Sequence, residues 1–156
     1  MEMKKVSGIF ILLLLILTSC DGNRVYEENY AVGENGWALD DIKTFEIPIT
    51  DTISPIKLMV NLRTTTDYPY SNIYLFIESN YPTGYHKLDT IELILAKPDG
   101  EWYGENSGTV VENQFVIAEN GRFAKAGTYI FKLQHAMKDE TLSEILDVGM
   151  RVETVN

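Results

Sequence analysis

From position 25 onward, apolar and polar residues alternate in short runs, with turn-forming residues between them. The runs predict strands at Thr44–Ile49, Ile56–Leu62, Ile73–Glu78, Thr90–Ala96, Glu101–Tyr103, Gln114–Ala118, Thr128–Gln134 and Asp147–Glu153. Phe45, Ile47 and Ile49 share one face, with Thr44 and Glu46 opposite. Tyr129, Phe131 and Leu133 alternate with Lys132 and Gln134, and Val148, Met150 and Val152 with Asp147, Gly149, Arg151 and Glu153. Such period-two alternation belongs to antiparallel sheets with one buried and one wet face. Ile73-Tyr74-Leu75-Phe76-Ile77 is apolar on both faces, which predicts a central strand. Pro98-Asp99-Gly100, Asn120-Gly121 and Pro82-Thr83-Gly84 predict tight turns. Eight runs about a dozen residues apart predict an all-β, antiparallel β-sandwich, jelly-roll-like and single-domain. Met137–Leu146 breaks the pattern. Its apolar spacing and early Asp139 and Glu140 predict a short helix or turn leading into the last strand.

The first nineteen residues differ from the rest. Lys4-Lys5 precedes a nine-residue apolar run, Ile9–Leu17. A helix of that length spans about 14 Å, against about 30 Å of bilayer hydrocarbon. The run therefore fits a signal-peptide core rather than a permanent span. It ends in Leu17-Thr18-Ser19-Cys20, the pattern of a bacterial lipobox. Small residues let a peptidase close on the backbone, and the cysteine thiol takes the lipid. The alternative is a cysteine that merely follows a secretory signal. Cys20 is the only cysteine, and it sits at that one position. The expected organisation is a signal peptide at 1–19, a lipidated tether at 20–24 and a β-sandwich domain at 25–156. Two or three palmitate-type acyl chains anchor stably where one would not. A five-residue tether reaches at most about 18 Å. The protein is expected in the cell envelope, facing the periplasm, on the outer rather than the inner membrane.

Composition sharpens this picture. The whole chain is 45% hydrophobic with a net charge of −10. Beyond position 19 the apolar share falls to about 42%, an ordinary soluble value, and eleven Lys/Arg face twenty-two Asp/Glu, net −11. So acidic a chain lacks the basic surface that nucleic-acid binding needs. One cysteine excludes a disulfide framework and a cysteine-rich zinc site.

Catalytic constellations do not assemble, and no enzymatic activity, cofactor or metal is expected. His135 continues the Tyr129/Phe131/Leu133 face and reads as a packed histidine; His86 lies in a Tyr/Pro/Gly turn and reads as a surface one. No zinc-protease, nucleophile-elbow, P-loop or dinucleotide motif occurs. Asp40-Asp41, Asp67 and Asp89 read as solvated carboxylates. The surplus is aromatic. Tyr68, Tyr70, Tyr81, Tyr85, Trp102 and Tyr103 lie in or beside turns, where they either bind a protein or glycan or close the ends of a sandwich core. Arg63 is expected to pair with a carboxylate on a neighbouring strand, and Asn72 to bond turn backbone, as a structural corner or a docking site.

The order of motifs resembles a known family. After the lipobox come Val25-Tyr26-Glu27-Glu28, Trp37, Asn61-Leu62-Arg63, Tyr68-Pro69-Tyr70-Ser71-Asn72-Ile73-Tyr74-Leu75-Phe76-Ile77, Asp89-Thr90 and Gly100-Glu101-Trp102-Tyr103-Gly104. Gly127-Thr128-Tyr129-Ile130-Phe131, Gln134-His135-Ala136-Met137 and Asp147-Val148-Gly149-Met150-Arg151-Val152-Glu153 follow. Together they resemble the gliding-motility lipoprotein GldH family of the Bacteroidota. That resemblance implies an envelope lipoprotein required by gliding machinery linked to type IX secretion, with those envelope proteins as partners and no catalytic residues to carry over. The runner-up is a glycan-binding or envelope-assembly lipoprotein that uses exposed aromatics.

Overall fold

A computed structural model describes residues 22–155. The expected signal peptide and lipidated Cys20 lie outside the described residues. Eleven strands follow in order: β1 Arg24–Ala31, β2 Trp37–Ala38, β3 Lys43–Ile49, β4 Ile56–Thr65, β5 Asn72–Asn80, β6 His86–Ile94, β7 Glu105–Ser107, β8 Val110–Gly121, β9 Gly127–His135, β10 Thr141–Leu142 and β11 Ile145–Thr154. All pairings are antiparallel. One sheet runs β1-β11-β4-β8-β7, the second β3-β9-β5-β6, and β2 pairs with β10 in a small ribbon.

The two main sheets bury their alternating apolar faces against each other as an all-β sandwich. Leu58, Val60 and Leu62 of β4 and Val148, Met150 and Val152 of β11 meet Phe45 and Ile47 of β3, Phe131 and Leu133 of β9, and Leu75 of β5 in one core. The alternation in Phe45/Ile47/Ile49, Tyr129/Phe131/Leu133 and Val148/Met150/Val152 thus points inward as expected. A side chain of this size contributes roughly 1.5–3 kcal/mol when fully buried.

Register defines two ends. Arg24 opens β1 opposite Glu153, and Ile56 of β4 faces both Thr154 and Gly121. The Asn23 carbonyl accepts a hydrogen bond from the Thr154 amide at 2.8 Å, and the Pro55 carbonyl accepts one from the Val155 amide at 2.8 Å. Ile49 pairs with Gly127, and the β5–β6 turn packs Pro82 close to Gly127. The chain start, the 50–55 and 122–126 crossovers and the Tyr81–Tyr85 turn therefore share one end, called proximal here. The loops at 32–42, 66–71, 95–104 and 136–144 share the distal end.

Several elements differ from the sequence expectation. Of the two expectations for Met137–Leu146, a short helix or a turn, the turn is found: the segment holds β10, a tight turn with Glu144 at φ 65° and the start of β11. Its apolar residues are needed at single points: Leu142 is buried beneath the distal end, where β10 pairs with Trp37 and Ala38. Asn120-Gly121 is not the turn. Asn120 takes a left-handed φ of 57° inside the end of β8, next to a slip in the β4–β8 register, and the crossover follows it. Asn tolerates that conformation better than most residues. Glu101–Tyr103 forms only a single bridge, Ala96 to Trp102. The sixth strand begins at His86, earlier than the expected Thr90, because the Pro82-Thr83-Gly84 turn is tight: Tyr81 N donates to Tyr85 O at 2.9 Å and Gly84 sits at φ 82°. β5 is interior to its sheet as expected, but its second face is open, with Tyr74 and Phe76 exposed. Strands β1, β2, β7 and β10 were not expected. β1 begins at Arg24, one residue before the expected start of the domain.

Candidate functional site

The most built surface is the outer face of the five-stranded sheet. Strand alternation turns Asn29, Gly149, Asn61 and Gln114 outward in one row across β1, β11, β4 and β8. Gln114 Nε2 donates to Asn61 Oδ1 at 3.0 Å, and Asn61 Nδ2 donates to Asn29 Oδ1 at 3.0 Å. Gly149 leaves the room for this relay, since a Cβ there would lie 1.9 Å from Asn29 Oδ1. The row toward the proximal end is ionic. Arg151 donates to Glu27 at 2.6 Å and from Nε to Glu153 at 2.6 Å. Burial pushes the Glu27 carboxyl up, but Arg24, Arg151 and the Asn61 amide outweigh it and hold the group below the usual carboxylate range. The row toward the distal end holds Arg63, whose Nε lies 2.9 Å from Asp147 Oδ2. The two residues are opposite each other on β4 and β11, so Arg63 does pair with a neighbouring strand.

These rows form the floor of a groove of about 550 Å³, bounded on its far side by Tyr103, Glu105 and Glu112. Amide donors and acceptors, an arginine, carboxylates and one exposed aromatic ring line it. The Glu105 and Glu112 carboxylates, opposite each other on β7 and β8, give its outer wall a negative charge.

The predicted aromatic surface does not assemble as one patch. Tyr68 is 4% exposed and belongs to the core, its hydroxyl donating to the Asn72 carbonyl at 3.2 Å, so it is not a ligand surface. Tyr70 stacks edge-on against Tyr68 at 5.8 Å and donates to Asp139 at 2.5 Å. Trp102 is half-buried and packs on the core. Tyr103 is exposed, with Lys97 Nζ 5.9 Å from its ring centroid. These four stand at the distal end. Tyr81 and Tyr85, 5.3 Å apart, stand at the proximal end, where Tyr81 also meets Tyr129 at 5.4 Å. Asn72 does not bond turn backbone through its side chain; its Nδ2 donates to Glu92 Oε1 on β6 at 2.5 Å.

His135 is fully buried, as its face required, and touches Trp37 edge-on at 5.4 Å. Burial lowers its pKa below the ordinary value, opposed by the Trp37 backbone and the Asp139 charge. His86 is exposed. The residues missed by sequence reasoning are Asn29, Asn61 and Gln114 of the amide row. Asn61 and Gln114 were visible as polar residues on expected strands, Asn29 lies on the unexpected β1, and only the register shows that the three positions align.

Residues 24–152 match the GldH lipoprotein family. The chain is 36% identical over 152 aligned positions to the gliding motility lipoprotein GldH homolog of Christiangramia forsetii, covering 93% of each chain. It is 35% identical over 156 aligned positions to the gliding motility lipoprotein GldH of Flavobacterium johnsoniae, covering 96% of each.

Proposed function

Because this chain belongs to the GldH lipoprotein family, we propose that it serves the bacterial gliding machinery as a lipid-anchored envelope component acting by protein–protein contact. The single observation that carries the reading is likeness along nearly the whole chain to two proteins named for gliding motility. The domain is held through Cys20 to a membrane, the outer membrane in this reading, and faces the periplasm. Its partners are other gliding or secretion envelope proteins. Its role is to present a shaped surface, not to perform chemistry, and the groove beneath Tyr103 is the part of that surface built to be read. The aromatic route to glycan binding loses support, since Tyr68 is core, Trp102 is half-buried and the other rings are divided between two ends.

A deletion strain tests the proposal. Loss of colony spreading is expected, restored by the wild-type chain. A Tyr103→Ala, Glu112→Lys chain is expected to accumulate normally yet fail to restore spreading and to lose its cross-linked envelope partners. Undiminished spreading and secretion in the deletion strain would reject the role.

A further inference from the structure

Charge is unevenly distributed between the two ends of the sandwich. The distal loops carry Asp40, Asp41, Asp67, Asp99, Asp139 and Glu140. The proximal end holds Arg24, Lys57, Lys87, Arg122 and Lys125, of which Arg24, Lys57 and Lys87 pair with Glu27, Glu119 and Asp89. Arg122 and Lys125 are exposed on the β8–β9 crossover, and among the described residues neither forms an ion pair. Beside them protrudes Ile53, 81% exposed, on a loop that is held firmly. The Asp51 carboxylate accepts hydrogen bonds from the Ile53 amide at 2.8 Å and the Ser54 amide at 3.0 Å, and Arg122 Nε donates to the Ile53 carbonyl at 2.7 Å. The second crossover is equally fixed, the Tyr129 hydroxyl donating to the Lys125 carbonyl at 3.0 Å. Tyr85, 59% exposed, tips the neighbouring turn. An apolar side chain and an aromatic ring held out on rigid loops, with the two exposed basic residues Arg122 and Lys125 at the same end, match the chemistry of a bilayer interface with phosphate headgroups.

The covalent chain decides what this end meets. Only Asp21, Gly22 and Asn23 separate Cys20 from the first strand residue, Arg24. Four residue steps span at most about 14 Å. We infer that the proximal end of the sandwich docks on the phospholipid surface, with Ile53 and Tyr85 entering the interface and Arg122 and Lys125 on headgroup phosphates. The inference rests on the lipid anchor at Cys20 and goes beyond it. An anchor alone holds the domain near a membrane, whereas docking sets its orientation. Docking turns the acidic distal end and the distal side of the groove away from the lipid.

The test uses the full lipoprotein, reconstituted into phosphatidylethanolamine vesicles containing phosphatidylglycerol. Because the native cysteine is acylated, Ile53→Cys, Tyr85→Cys and, at the distal end, Thr109→Cys each supply one thiol for a fluorophore. A quencher on lipid headgroups is expected to quench the labels at 53 and 85 several-fold more than the label at 109. Adding Arg122→Glu and Lys125→Glu, or Lys125→Glu alone where the loop depends on Arg122, is expected to reduce proximal quenching while vesicle flotation is retained. Equal quenching at all three positions in a protein that floats with the vesicles overturns docking and leaves the anchor standing. A protein that neither floats nor carries lipid at its N-terminus overturns both.

Discussion

At the scale of residues, the sharpest constraint is Gly149. It lies in the middle of an ordinary alternating strand, where most residues would be accepted. The Asn29 side chain occupies the space above it, and a Cβ would also lie 2.7 Å from the Glu28 carbonyl. Gly149→Ala must push β1 away from β11 or break the amide row. A loss of about 1–3 kcal/mol is expected from such overpacking, read as a lower denaturant midpoint, with Gly33→Ala as a neutral control because nothing lies near its Cβ. The sequence shows Gly149 only as a small residue on the wet face, since its reason belongs to a strand over a hundred residues away. His135 is the opposite case. Its place on the Tyr129/Phe131/Leu133 face was readable from period-two alternation alone, because that period holds to the end of β9.

At the scale of elements, β1 has the weakest pattern and an important ion-pair network. Its inner positions are Tyr26, Glu28 and Tyr30, so the polar Glu28 interrupts the apolar alternation that identified other strands. Glu28 lies inside because the Tyr26 hydroxyl donates to it at 2.6 Å. The outward Glu27 ties β1 to β11 through Arg151. Arg151→Met removes a half-buried pair and leaves Glu27 and Glu153 facing each other, so a loss of about 1–3 kcal/mol at pH 7 is expected. The pH dependence has a definite sign. The folded pKa of Glu27 lies below its unfolded value near 4.5, so its stabilising contribution is present above that value and is lost as pH falls through the folded pKa. The gap between wild type and Arg151→Met, measured by urea unfolding, is therefore expected to narrow below pH 4.5. Strong alternation made β3, β4, β9 and β11 legible in advance. β2, β7 and β10, two or three residues long, exist only because partners lie opposite them, and no local pattern announces them.

At the scale of the whole molecule, the sandwich class followed from many short alternating runs, while the division into two ends followed from register alone. That division is why the six candidate aromatics, close in sequence, separate in space: the chain crosses the full length of β5 between Tyr70 and Tyr81. With the proposed anchor at Cys20, it also predicts that tether length affects function. Inserting about twenty Gly/Ser residues after Asp21 adds a root-mean-square reach of roughly 25 Å. Thermal unfolding is expected to stay unchanged, since the insertion precedes the first strand. Colony spreading is expected to weaken, because the domain would no longer stand at a fixed height and angle. Equal spreading with the long tether would show that height does not matter to its partners.

The hydrogen bond from the Thr154 amide to the Asn23 carbonyl places the first and last described strands side by side at one end. The polypeptide therefore enters and leaves the domain through the same doorway. With the proposed anchor at Cys20 and the inferred docking, a reporter fused after Asn156 would emerge between the fold and the lipid and would act as a wedge. A tag meant to leave the protein working belongs instead in the Gly108-Thr109 turn, at the distal end, which the inferred docking turns away from the lipid.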